Sequence, residues 1–178
     1  AIREEVIMAD DVMLGAEGNL LEETPEHCHR LKLQHPILTN EELGKIRQVK
    51  HGRLKAKTLP IVYKLEAGPR RLEKALEKLF QEADRFIEQG TSILILSDRE
   101  VDQSHVPIPS VLACSGLHHH LIRQGTRTQA SLVLETGEAR EMHHFAVLIG
   151  YGANAINPYL VFETLESIGR RAGLEGAA

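Results

Sequence analysis

From residue 58 onward, short continuous apolar runs alternate with longer stretches whose apolar side chains recur every three or four positions. "TLPIVYKLE" (58–66) predicts a strand, and "GPRRLEKALEKLFQEADRFIEQG" a helix ended by Gly90, with Leu72, Leu76, Leu79, Ala83 and Phe86 at helical spacing. "TSILILSD" (91–98) and "ASLVLET" (130–136) are apolar without alternation, as expected of strands buried on both faces. "IPSVLACSGLHHHLIRQG" between them predicts a helix closed by Gly125. "GEAREMHHFAVLIGYG" predicts a third helix, "ANAIN" (153–157) a brief strand, and "PYLVFETLESIGRRAG" a fourth helix with Pro158 at its first turn.

Four βα units in a row imply an α/β fold with a parallel sheet and right-handed crossovers, either half of a (βα)8 barrel or one doubly wound sheet. The strands are expected near 59–66, 92–98, 130–136 and 154–157, with the helices on the outside of the sheet. Residues 1–57 carry no strand pattern and read as an irregular segment with one short helix, "PILTNEELGKIR", N-capped by Thr39 or Asn40, with Lys45 and Arg47 near its end. The domain division is thus 1–57 and 58–178. Half a barrel leaves strand edges and an apolar inner surface uncovered, so residues 1–57 are expected to wrap the sheet, or a second copy to cover it.

In either parallel architecture, ligand-facing groups lie at the carboxyl ends of strands. Those ends supply Glu66, Asp98, Arg99, Glu135, Glu138 and Asn157. Such a rim suits a metal, a polar ligand or a partner's basic loop; equally, Asp98, Glu135 and Glu138 suit the capping of helix starts. The ten histidines pose a second question. His118, His119 and His120 fall mid-helix, where neighbours diverge by about 100° and cannot converge on one ion. A metal pair would need i, i+3 or i+4 spacing, which neither this run nor His143–His144 has. The stripe Val111, Cys114, His118, Leu121 predicts that His118 packs inward with a hydrogen-bonded ring, Glu135 or Glu138 being its expected neighbour; His143 and His144 read the same way, and for both runs the expectation is structural packing or contact with another domain. His120 is expected to cost little if replaced, should it face solvent. "HCHR" (27–30) offers only a weak metal cluster in an irregular segment.

Composition narrows the classes. Lys+Arg number 21 against 25 Asp+Glu, a net charge of −4 that disfavours nucleic acid and anionic membranes as partners. Two separated cysteines, Cys28 and Cys114, give no disulfide framework, zinc knuckle or iron–sulfur motif and fit a reducing, cytoplasmic-type setting. No apolar run reaches membrane-span length, and the charged start carries no signal peptide. "GYGANA" follows a helix instead of a strand and so is not a dinucleotide fingerprint.

"GAEGNLLEETPEHCHRLKLQHPILTNEEL" and the stretch from "ILILSDR" through "PIPSVLACSGLHHHLIRQGTRTQASLVLETGEAREMHHFAVLIGYGANAINPYLVFETL" closely resemble the central domain of glutamate synthase. The likeness covers nearly the whole chain and is weakest over 44–90. It rests on "GNLLEE" (18–23), "SDR" (97–99), "HHH" (118–120), "ETGEARE" (135–141) and "NPY" (157–159). The resemblance implies a rudimentary TIM-barrel-like half-barrel that connects an N-terminal amidotransferase (glutaminase) domain to an FMN-binding domain. It implies a parent that makes two glutamates from glutamine and 2-oxoglutarate, with reduced ferredoxin or NAD(P)H as donor, in the cytoplasm or the plastid stroma. FMN and an iron–sulfur cluster belong to that parent. This chain opens with Ala1, lacks the nucleophilic N-terminal cysteine and shows no FMN-phosphate loop, so no catalytic, cofactor or metal residue is carried over. Against this scaffold reading stand two others: a free-standing half-barrel enzyme or ligand-binding module using the carboxylate rim, and a metal-binding module on the histidines.

Overall fold

A computed structural model describes residues 9–19, 21–65, 68 and 70–173. In chain order the elements are β1 (Val12–Leu14), β2 (Leu31–Leu33), α1 (Asn40–Gln48), β3 (Lys50–His51), β4 (Leu54–Pro60), β5 (Val62–Lys64), α2 (Arg71–Glu88), β6 (Ile93–Ser97), β7 (His105–Pro107), α3 (Ser110–Gln124), β8 (Ser131–Glu135), α4 (Met142–Gly150), β9 (Ala155–Asn157) and α5 (Tyr159–Arg171). The main sheet runs β3-β4-β6-β8-β9, with β4, β6, β8 and β9 mutually parallel and β3 antiparallel at the edge. The fold is therefore mixed α/β with a mostly parallel central sheet, as the alternation predicts.

The first strand differs from expectation. It begins at Leu54, four residues earlier than the apolar run, because Leu54 and Ala56 turn to one face while Lys55 and Lys57 point away. It leaves the sheet after Pro60, and Val62–Lys64 pairs antiparallel with β7 in a separate ribbon. The expectation of no sheet before residue 58 is likewise corrected by the antiparallel pair β1–β2. These strands are three residues long, too short for a period-two signal to stand out. The helix expected from Gly137 begins only at Met142.

Strand alternation divides the core in two. Leu94, Leu96, Leu132, Leu134 and Ile156 face α2, α3 and α4, where they meet Leu79, Ala83, Leu117, Leu121 and Leu148. Ile93, Ile95, Val133 and Ala155 point the opposite way, against Leu14, Leu38, Leu43 and Ile46. The N-terminal elements thus cover the second sheet face, one of the two covers expected for it. Helix α1 is set by a capping box: Glu42 N donates to Thr39 Oγ1 at 3.2 Å and Thr39 N to Glu42 Oε2 at 2.8 Å. The strand edge at β9 is closed by residues 36–38, through Ile156 N to Pro36 O (2.7 Å) and Leu38 N to Ile156 O (2.8 Å).

Because both faces contribute fully buried side chains, Ile46→Ala on α1 should destabilise the chain as Leu94→Ala on β6 does, each by about 2–4 kcal/mol. Urea unfolding should show one transition for both variants. An Ile46→Ala variant with unchanged stability would mean that the N-terminal elements are not part of the folding unit.

Candidate functional site

At the carboxyl edge, the register of the sheet sets Ser97, Glu135 and Asn157 side by side on three neighbouring strands. Each lies two residues beyond an inward apolar residue (Ile95, Val133, Ala155), so all three turn to the face covered by the N-terminal elements. Glu135 is 1% exposed. Its Oε2 accepts from Ser97 Oγ at 2.5 Å, its Oε1 from Arg99 Nε at 2.6 Å, and Arg47 at the end of α1 completes the set with an ion pair to Oε2. Arg99 also reaches Glu163 on α5, at 2.9 Å, and lies 4.2 Å over the Tyr159 ring. Asn157 Nδ2 donates to Leu38 O at 2.8 Å and to Asn40 Oδ1 at 3.0 Å, fastening β9 to the start of α1.

The neighbouring positions turn to the helix side. Asp98 is buried and accepts from Thr136 Oγ1 at 2.6 Å, from Gly137 N at 3.1 Å and from the Tyr159 hydroxyl. Burial holds the Asp98 carboxyl above its ordinary range, against the pull of those donors, and burial followed by the Asp98 bond raises the Tyr159 phenol. Glu138 Oε2 accepts from Ser110 N (2.7 Å) and Ser110 Oγ (2.5 Å), which makes it the cap of α3. Of the three rim carboxylates, Glu138 therefore caps a helix and Asp98 closes the turn into Gly137. Glu135 does neither, contrary to the capping expectation, and serves as the anion between two arginines. Glu66 lies outside the described residues.

His118 sits apart from this rim. It is half-buried, and its Nδ1 accepts from Arg127 Nε at 2.9 Å. Arg127 also donates to Ala130 O (2.8 Å), Gly152 O (2.9 Å) and Asn154 Oδ1 (3.2 Å), tying α3, the entry to β8 and the 152–154 turn together at the amino edge of the sheet. Gly152 has φ +108, and an added Cβ would stand 2.3 Å from His118 Nδ1, so that turn admits only glycine. The neighbour of His118 is thus an arginine, not Glu135 or Glu138, and the Val111 end of its stripe is exposed. Burial first, and then Arg127 and His119, hold the imidazole below its ordinary value. His119 is exposed. His120, expected to be dispensable if it faced solvent, instead stacks on Phe80 at 4.8 Å and bonds Asp84 Oδ2 at 2.7 Å. His143 and His144 are exposed, so they do not pack within this chain, the first half of the expectation for them; His144 Nδ1 accepts from Arg140 N at 3.2 Å at the start of α4. Among the described residues no three of His, Cys, Asp and Glu converge as metal ligands would. His27 Nε2 spends itself on Glu22 O at 2.7 Å.

Sequence reasoning gathered Asp98, Arg99, Glu135, Glu138 and Asn157 at one edge, and the structure places them there. It missed Arg47, read only as a favourable charge at a helix end, and also Thr136, Tyr159 and Arg127. Strand parity was the available signal for the Ser97–Glu135–Asn157 row. No local pattern announces which arginine crosses from the N-terminal segment to meet it.

Two outcomes follow from this geometry. Arg47→Met should cost about 2–3 kcal/mol in urea unfolding, since it strips one cation from a carboxylate that stays buried. A double-mutant cycle with Glu135→Gln should show coupling above about 1 kcal/mol, and additive losses would deny the pair. For His118, a lowered folded value means that the unfolded chain takes up the proton first as pH falls below the ordinary value of about 6.5. Stability contributed by the neutral ring is then full above that pH and declines beneath it, so the advantage of the native protein over His118→Gln should shrink between pH 7.5 and 5.5. An advantage that grows on acidification would reverse the assignment.

The glutamate synthase central domain family matches residues 1–177 of this chain. The chain is 45% identical, over 92% of its length, to the NADPH glutamate synthase large chain of Bacillus subtilis. It is 40% identical over 92% to the chloroplastic ferredoxin-dependent glutamate synthase of Spinacia oleracea, and 36% over 98% to the NADH glutamate synthase of Schizosaccharomyces pombe. It spans only 10%, 10% and 8% of those relatives, each a much larger polypeptide. The three carry three different electron donors in their names, so the likeness selects none.

Proposed function

The chain belongs to the glutamate synthase central domain family, and from that premise we propose that it is the connecting domain of a glutamate synthase. In this reading it holds an amidotransferase domain and an FMN-binding synthase domain in register while the parent turns glutamine and 2-oxoglutarate into two glutamates, in cytoplasm or plastid stroma. The four parallel βα units are then half of a barrel whose inner face is filled by its own N-terminal elements.

The observation that carries the proposal is the closure of Glu135. In a parallel αβ enzyme the carboxyl edge is where substrate sits. Here the most buried carboxylate of that edge is bound by Ser97, Arg99 and Arg47, the last brought in by the segment that plugs the face. Its neighbours Asp98 and Glu138 are likewise committed to donors of the chain itself. The residues also do not fit the parent's cofactors. Cys28 is exposed on a 3-10 turn, while Cys114 is buried in α3 with its thiol pushed up to about 12, so the two cannot share a cluster. The start of α3, a natural phosphate seat, already holds the Glu138 carboxylate. We therefore assign FMN, the iron–sulfur cluster and the electron transfer to other parts of the parent. Among the described residues no helix is long and apolar enough to cross a membrane.

The test has two arms. The isolated chain, given glutamine, 2-oxoglutarate and a reduced donor, should form no glutamate and show no flavin absorbance; turnover or stoichiometric flavin would overturn the proposal in favour of a free-standing enzyme. In the full polypeptide, Arg47→Met should leave bound flavin intact but lower the glutamate formed per glutamine hydrolysed below two. Unchanged coupling in a demonstrably loosened domain would sink the connecting role.

A further inference from the structure

We propose that the outer face of α4 is an interdomain surface, covered in the full polypeptide by an uncharged, apolar face of another domain of the same chain. The proposal rests on the connecting-domain reading for the existence of that other domain, and on the helix itself for the surface.

Helix α4, "MHHFAVLIG", carries no Asp, Glu, Lys or Arg, yet Leu148 is its only buried residue. Met142 is 82% exposed, Val147 44% and Ile149 41%. A solvent-facing helix of a soluble protein turns charged side chains outward, whereas one that is apolar all round belongs in an interior. The same sheet face supplies the contrast. Helix α2 packs Leu79, Ala83 and Ile87 inward and exposes Glu73, Lys74, Glu77, Lys78 and Arg85. Two helices on one layer thus follow opposite rules, and only α2 follows the rule for water.

The surface has a shape to match. Between the start of α3 and α4 runs a groove of about 310 Å³, with Val111 and Val147 on its banks, Ala139 and Leu148 beneath, and His143 and His144 also lining it. The one carboxylate at its rim, Glu138, is committed to Ser110. The groove therefore suits an aliphatic or aromatic side chain better than a cation.

Area decides between a second copy and a tethered domain. A nine-residue helix is about 13 Å long and roughly 10 Å across, so its outer face by itself offers on the order of 150 Å². A stable dimer needs about 800 Å² from each partner. A domain on the same polypeptide needs far less, because the tether supplies a high effective concentration. The relatives of which this chain spans 8–10% contain ample chain to provide it.

The experiment places a photo-crosslinking phenylalanine at Val147 in the full polypeptide, with Glu77 on α2 as the control position. Irradiation should join residue 147 to a peptide outside the family-matched residues 1–177, with no gain of mass on a denaturing gel, and leave position 77 unjoined. A dimer-sized band would replace the tethered domain by a second copy. Absence of any joined peptide would overturn the proposal, provided the thiol of a Val147→Cys variant also reacts with maleimide as fast as that of Glu77→Cys; the proposal expects at least tenfold protection. Neither readout depends on turnover. Catalysis by the isolated chain would count against the connecting role without moving either readout at residue 147, whereas a freely labelled residue 147 would overturn the surface and leave the connecting role standing.

Discussion

One buried carboxylate organises this molecule. Glu135 lies at the end of the interior strand β8, almost without contact with water, where Arg99 from the loop after β6 and Arg47 from α1 both reach its carboxyl group. Removing a carboxylate from water costs several kcal/mol, and only well-placed counter-charges repay it. The pairing therefore ties α1 to the sheet in a way that apolar contact does not, since Leu43 and Ile46 would tolerate a slip along the Ile93–Val133 surface that Arg47 would not. Asn157 adds a second fixed point, bonding Leu38 O and Asn40 Oδ1 across the same gap.

The rest of the architecture follows from strand parity. On β6 and β8, even-numbered residues turn to the helices and odd-numbered ones to the N-terminal elements, so both faces must be apolar and the strands lose their alternation. Where the apolar runs end, parity continues and delivers polar side chains to the same two faces. Ser97 and Glu135 join the N-terminal cover, and Asp98 and Thr136 turn to the start of α5. One register thus builds the core and the polar edge together.

This explains what the sequence disclosed. The βα rhythm from residue 91 onward was legible because buried strands and amphipathic helices each have a distinct period, and the rim residues followed from the strand ends. In the N-terminal third only α1 was legible, through its Thr39 cap. Strands β1 and β2 are too short for periodicity, and "LKAK" in β4 alternates over too few residues to stand out. The histidines were half legible. Helix geometry excluded convergence of His118–His120 on one ion, but their partners Arg127, Phe80 and Asp84 lie on other elements that no local pattern names. For α4 the apolar sequence predicts packing or domain contact for His143 and His144, and within this chain they are exposed. The packing half of that reading fails here, and the contact half is what the interdomain proposal takes up.

A second, partly buried charge, Arg127, bears on the connecting role proposed above. Arg127 at the amino edge is surrounded by neutral acceptors: a His118 nitrogen, two carbonyls and an amide oxygen. Burial lowers its own proton affinity, and the nearby Glu17 offsets that only in part, without bonding it directly. Apolar replacements of such groups often match or exceed them in stability, so stability is a weak reason to keep them. Geometry is a stronger one. A guanidinium with fixed donors admits one arrangement of the turns at Ala130, Gly152 and Asn154, and Glu135 admits one arrangement of α1 against β8. Directional clamps at both ends of the parallel strands suit the connecting role proposed above, since a body that sets the separation of other domains needs a fixed geometry more than a high stability.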